Sequence, residues 1–139
     1  MKKLIVVIII FLIIMSGVET NSQFSLLNYF SGEYTVYTSQ ENGEDCVNLG
    51  FYYMNSKHVG SNVVGESMVI ENLEVGSALS SLSARVVKTE YLEDGTTVIY
   101  AYTNLIDDKV EVGGEQVNLQ IANKEDRFVI GWPLILGSF

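Results

Sequence analysis

Cysteine, proline and histidine occur once each in these 139 residues, as Cys46, Pro133 and His58. A lone cysteine excludes an intramolecular disulfide and Cys-x-x-Cys chemistry. A lone histidine excludes His-based zinc sites. His58 lies between Lys57 and Val59 in a loop-like stretch, without Asp, Ser or Cys at a catalytic spacing, and reads as a solvated side chain. Glu41, Glu44 and Asp45 cluster and Asp107-Asp108 form a pair, but the alternating oxygens of a calcium-binding hand are missing, so solvated loop carboxylates are expected. Gly65-Glu66-Ser67 lacks the glycine spacing of a nucleophile elbow. There is no glycosylation sequon and no internal repeat. No catalytic residue, metal site or cofactor is assigned from this inventory.

Positive charge is also scarce. Lys2 and Lys3 aside, six cations (Lys57, Arg85, Lys88, Lys109, Lys124 and Arg127) face seventeen carboxylates, a net charge near −11. Affinity for nucleic acid comes mainly from Lys and Arg neutralising phosphates, so no nucleic-acid partner is expected.

What the chain does have begins with a hydrophobic segment. Lys2 and Lys3 precede an unbroken apolar run, Leu4 to Met15, and Ser16-Gly17-Val18 then breaks it with smaller residues. Isoleucine and valine on all sides leave no polar face for a core helix. Residues 1–18 are therefore expected to be a signal peptide or an N-terminal membrane anchor, with the remainder outside the cytoplasm. The run is shorter than the ~20 residues a spanning helix prefers, which favours cleavage, yet no Ala-x-Ala site follows it.

Residues 19–31 read as a linker with one short amphipathic stretch, in which Phe24, Leu27 and Phe30 recur at helical spacing. Residues 32–139 are expected to form one α+β domain. Glu33–Thr38 is a strand, Gln40–Asp45 with its Asn42-Gly43 turn signal a loop or hairpin end, and Val47–Met54 apolar and ambiguous between strand and helix. Ser67–Glu71 is a short strand, and Asn72 is placed to cap a helix whose stripe is Val75, Ala78, Leu79 and Leu82. The period then falls to two: Arg85–Leu92, an Asp94-Gly95 turn, and Thr96–Tyr102 make a hairpin. A second hairpin follows around Gly113-Gly114, where Val117, Leu119 and Ile121 alternate with Asn118 and Gln120, as in a sheet with one buried and one polar face. The last strand runs from Arg127 to about Leu136, with Pro133 marking an edge, a bulge or its end. Its apolar course predicts Trp132 and two of Ile130, Leu134 and Leu136 in the core, and an unfolded domain if Pro133–Phe139 is deleted. The expected architecture is one main helix packed on a curved antiparallel β-meander sheet, after an N-terminal hydrophobic helix.

From Gly65 to Phe139 the chain resembles the YwmB-like family of small exported proteins from Firmicutes. The resemblance is carried by Ala84-Arg85-Val86-Val87, by Lys88–Thr103 (KTEYLEDGTTVIYAYT), by Val117–Ala122 (VNLQIA) and by Gly131–Ile135 (GWPLI). It implies a fold similar to that of the TATA-box-binding protein, without catalytic residues to carry over and without DNA binding.

Function is left to surface chemistry. Tyr91, Tyr100 and Tyr102 are the candidate binding residues, as cross-strand pairs or as a platform for a sugar ring or peptide. The expectation is a non-enzymatic envelope protein whose partner is another envelope protein, a peptide or a cell-wall glycan. The alternative is a small extracytoplasmic hydrolase or glycan-modifying enzyme working through carboxylates.

Overall fold

The computed structural model describes residues 23–40, 43–56 and 62–135, the side chains of 39–40 and 43–49 excepted. The N-terminal apolar segment, His58, the Asn42 turn residue and Leu136 lie outside the described residues.

Strand dominates the described residues and helix is scarce, an α+β arrangement built mainly of antiparallel sheet. The strands are β1 (Gly32–Gln40), β2 (Gly43–Tyr52), β3 (Val63–Glu71), β4 (Arg85–Tyr91), β5 (Thr97–Tyr102), β6 (Val110–Val112), β7 (Glu115–Val117), β8 (Leu119–Lys124) and β9 (Arg127–Trp132). Helix α1 (Val75–Ser81) stands between β3 and β4, and a single 3-10 turn, Leu26–Asn28, precedes β1.

Seven strands form one sheet in the order β2-β1-β3-β9-β8-β5-β4, while β6 and β7 pair as a separate ribbon. After α1, β4, β5, β8 and β9 follow one another as the antiparallel meander expected from sequence, with the β6–β7 ribbon as an excursion and β2-β1-β3 joined beyond β9. The C-terminal strand β9 inserts between β3 and β8, so it is central rather than an edge. Pro133, which cannot donate to a ladder, lies one residue beyond it. Val47–Met54, ambiguous in sequence, is β-strand as far as Tyr52.

Period-two alternation sorts the side chains. Tyr34 and Val36 of β1, Glu66 and Met68 of β3, Ile130 and Trp132 of β9, and Leu119 and Ile121 of β8 are buried on one face. The 3-10 turn and α1 cover that face. Leu26 and Leu27, from the stretch read as a linker, are fully buried there, and Phe24 and Phe30 pack against the cluster. From α1 come Ala78 and the C-terminal Leu82, both buried, with Val75 and Leu79 half-buried beside them, the stripe read from sequence. Its cap differs from expectation. Glu74 accepts from the N–H groups of Gly76 and Ser77, whereas Asn72 takes a left-handed φ of 55° in the preceding turn. A carboxylate reaches two free amides and suits the positive end of the helix.

The opposite face is not the open polar surface that Asn118 and Gln120 suggested. Asn118 is fully buried: its amide donates to the carbonyls of Thr103 and Ile106 and its oxygen accepts from Thr103 N–H, which locks the loop after β5. Gln120 is buried because the chain turns back after Trp132, and Ile135 N–H donates to its side-chain oxygen at 2.8 Å. Gly131 makes this crossing close, since a Cβ there would stand 3.1 Å from the Ile135 side chain.

Candidate functional site

Among the described residues Glu66 is the one charged residue in the set of largest fully buried side chains, and strand pairing explains its surroundings. Trp132 lies directly opposite it across β3 and β9, and Tyr34 lies diagonally across β1 and β3. The 3-10 turn then brings Ser25 and Leu26 over the carboxyl group. Oε1 accepts from Trp132 Nε1 at 2.7 Å and from Leu26 N–H at 3.2 Å. Oε2 accepts from Ser25 Oγ at 2.8 Å and from the Tyr34 hydroxyl. Four donors thus meet the roughly four lone-pair sites of an ionised carboxylate.

Burial pushes the Glu66 carboxyl above its ordinary 4.5, against the downward pull of these four hydrogen bonds. The Tyr34 hydroxyl is likewise raised, by burial first and then by the Glu66 charge beside it. A raised carboxyl is what a general acid needs, but a general acid must also reach its substrate. Glu66 has no exposed surface, and its oxygens are occupied by protein donors. It joins the 3-10 turn, β1, β3 and β9 into one unit.

A cleft of about 380 Å³ is lined by Trp132, by Gln23 and Phe24, and by the Leu105–Asp108 loop. Phe24 meets Trp132 edge-on with ring centroids 6.0 Å apart. Asp107 and Asp108 are exposed on the rim, and Glu66 does not line the cleft. The accessible carboxylates line the cleft and the perturbed one does not. Among the described residues no three His, Cys, Asp or Glu side chains gather to hold a metal ion, and no helix is long and apolar enough to cross a membrane.

The three candidate tyrosines do not form one platform. Lys88 and Arg85 stand opposite Tyr100 and Tyr102 across β4 and β5, so those two rings share a face with them. Tyr100 reaches Glu90 at 3.5 Å, Glu90 pairs with Lys88 at 2.6 Å, and the Arg85 guanidinium lies 5.3 Å above the Tyr102 ring. Tyr91 stands opposite Thr97, on the other face, and is 80 % exposed.

No family model, no curated protein and no solved structure matches the chain.

The site is therefore read from geometry alone, and strand β4 is an open feature of the described residues. Among the described residues it is a terminal strand of the sheet, paired only with β5. Leu92 N–H donates inward to Thr96 O at 2.8 Å, and backbone groups alternate in direction along a strand. Tyr91 and Thr89 consequently present their N–H and C=O groups outward. Val86, Tyr91 and Leu92 add exposed apolar side chains along this edge. Other exposed apolar residues, Phe51, Tyr53 and Met54, cluster at the end of β2, where Ser31 and Leu27 pin the following turn.

Sequence reasoning passed over Glu66. The one available signal was its parity: Glu66 alternates in phase with Met68 and Ile70, the inward positions of its strand.

Proposed function

We propose that this chain is a non-enzymatic binding domain of the cell envelope, held outside the cytoplasm by its N-terminal segment, and that it takes up a protein strand along β4. The observation that carries this reading is the unpaired β4 edge, with outward backbone groups at Thr89 and Tyr91 and an exposed Tyr91 ring. An exposed edge with free N–H and C=O groups is a template for another strand. A glycan platform has less support, because Tyr100 and Tyr102 are engaged by Glu90 and Arg85 on the opposite face from Tyr91. The hydrolase alternative has less still, since the raised carboxyl of Glu66 is sealed. The resemblance to YwmB-like proteins adds an exported address to this proposal and no chemistry.

A photo-reactive residue at position 91 of the full chain, illuminated in intact cells, should form a protein adduct, and one at Glu125 should not. Thr89→Pro should abolish the adduct. It removes an outward N–H and leaves the β4–β5 ladder intact, as proline on an edge strand does. An adduct that survives Thr89→Pro, or one made of glycan, overturns strand addition.

The address has its own test. Met1–Asn21 fused to a reporter active only outside the cytoplasm should give signal, and Asp at Ile8, Ile9 and Ile10 should abolish it, at ~2.5–3.5 kcal/mol per charge on insertion scales. Full activity of a cytoplasmic reporter on the unaltered segment would refute export.

A further inference from the structure

We infer that the strand taken up by β4 is β4 of a second copy of this chain, in a two-fold antiparallel pair centred on Thr89. This rests on β4 being the recognition edge and names its partner.

The hydrogen-bonding parity allows it. Thr89 points its backbone groups outward, in phase with Tyr91 and opposite to Leu92. A two-fold axis at Thr89 therefore makes it a hydrogen-bonded pair with its own copy, each exchanging N–H and C=O. In such an isologous contact, residues two-fold related about position 89 meet across the join.

The side chains are self-complementary about the same point. Lys88 and Glu90 flank Thr89 and stand on one face of the sheet, already 2.6 Å apart along the strand. The two-fold sets Lys88 opposite Glu90 of the copy, and Glu90 opposite Lys88 of the copy. Four charges then alternate in sign around a square, each with one partner along the strand and one across it. These are non-hydrogen-bonded positions, where opposed side chains come closest. On the other face Tyr91 extends toward the bulge between Val86 and Lys88 of the copy, where Val86 is half-exposed. That contact covers the most exposed aromatic ring of β4 and removes an open sheet edge. A basic or acidic peptide would match only half of the Lys88–Glu90 pattern. A second copy matches all of it.

The test uses the full chain in membranes with Cys46→Ser as background. Thr89→Cys should form a disulfide-linked dimer on mild oxidation, because hydrogen-bonded antiparallel partners stand about 5.5 Å apart at Cα, within the range a disulfide spans. Glu125→Cys should remain monomeric. Lys88→Glu and Glu90→Lys, each added to Thr89→Cys, should each lower the self-linked fraction roughly tenfold, as opposed like charges do. Co-expressed with different tags, those two variants should link to one another, because every opposed pair is then of opposite sign. A role of the Lys88–Glu90 pair confined to its own chain does not yield that mixed dimer. Thr89→Cys linking no more than Glu125→Cys, or no preference for the mixed dimer, overturns the inference. Should Thr89→Cys fail while position 91 still captures another protein, the edge is the binding site and its partner is not a second copy. Should both fail, both readings fall.

Discussion

Glu66→Leu is expected to leave the domain unfolded or insoluble. Leucine fills much of the same volume but strands four buried donors: Ser25 Oγ, Leu26 N–H, the Tyr34 hydroxyl and Trp132 Nε1. Each unsatisfied buried group costs about 1–3 kcal/mol. The sum, about 4 kcal/mol or more, approaches the whole stability of a small domain, about 5–15 kcal/mol. Glu66→Gln keeps an oxygen for Trp132 and Leu26, but its amide faces two hydroxyls that already point hydrogens inward, so a smaller loss of about 1–3 kcal/mol is expected. Urea unfolding separates the variants. The pH dependence then identifies the cause. Because burial raises the folded-state value of Glu66 above 4.5, its proton-linked stability is fully present below about pH 4.5 and is lost as pH rises through the raised value. The advantage of the native chain over Glu66→Gln should therefore shrink from pH 4 toward neutrality. A Glu66→Leu variant as stable as the native chain would show that the buried carboxyl group does not organise this core. An advantage over Glu66→Gln that grows with pH would show instead that the four hydrogen bonds of Glu66 outweigh burial.

Trp132→Ala should cost nearly as much, about 5 kcal/mol. Removing a large buried aromatic ring costs about 3–5 kcal/mol, and the indole N–H also donates to a carboxylate, a bond worth about 1.5–3 kcal/mol in its own right. The two losses overlap at one residue and do not simply add. Trp132→Phe separates them, keeping most of the ring packing against Phe24 while deleting the N–H. Contrary to the unfolding expected from sequence, deleting Pro133–Phe139 should cost less than either. Pro133, Leu134 and Ile135 are only half-buried, and the bond from Ile135 to Gln120 is one neutral hydrogen bond. Thermal melts in the order native, truncation, Trp132→Phe, Trp132→Ala are the expected result. A truncation that melts as low as Trp132→Ala would assign the packing to the tail instead.

The elements legible in the sequence are those whose cause is local. Asp94-Gly95 closes the β4–β5 hairpin with Gly95 at φ +88°, and the Asp94 side chain accepts from Thr96 N–H at 2.9 Å. Gly113 and Gly114 both take positive φ at the β6–β7 turn, a conformation glycine adopts without steric penalty. The α1 stripe was readable because residues 75, 78, 79 and 82 fall on one side of a helix whatever they pack against. Asn118 and Gln120 misled because polarity alone does not say whether a side chain meets water or a backbone group. The protein supplied partners for both.

The sequence by itself determined the acidity, the single cysteine and histidine, the N-terminal apolar run, the two glycine-bearing hairpins and the inward face of α1. Each follows from composition or from neighbours a few residues apart, where backbone sterics and side-chain period act directly. Only the tertiary structure decided that β9 runs through the middle of the sheet, that Glu66 is sealed by residues 25, 26, 34 and 132, and that Tyr91 is separated from Tyr100 and Tyr102. Strand order and the filling of a buried carboxylate depend on contacts between segments as far apart as 66 residues. Those contacts are selected by the total burial and hydrogen bonding of the whole chain, a quantity that no local stretch of sequence contains.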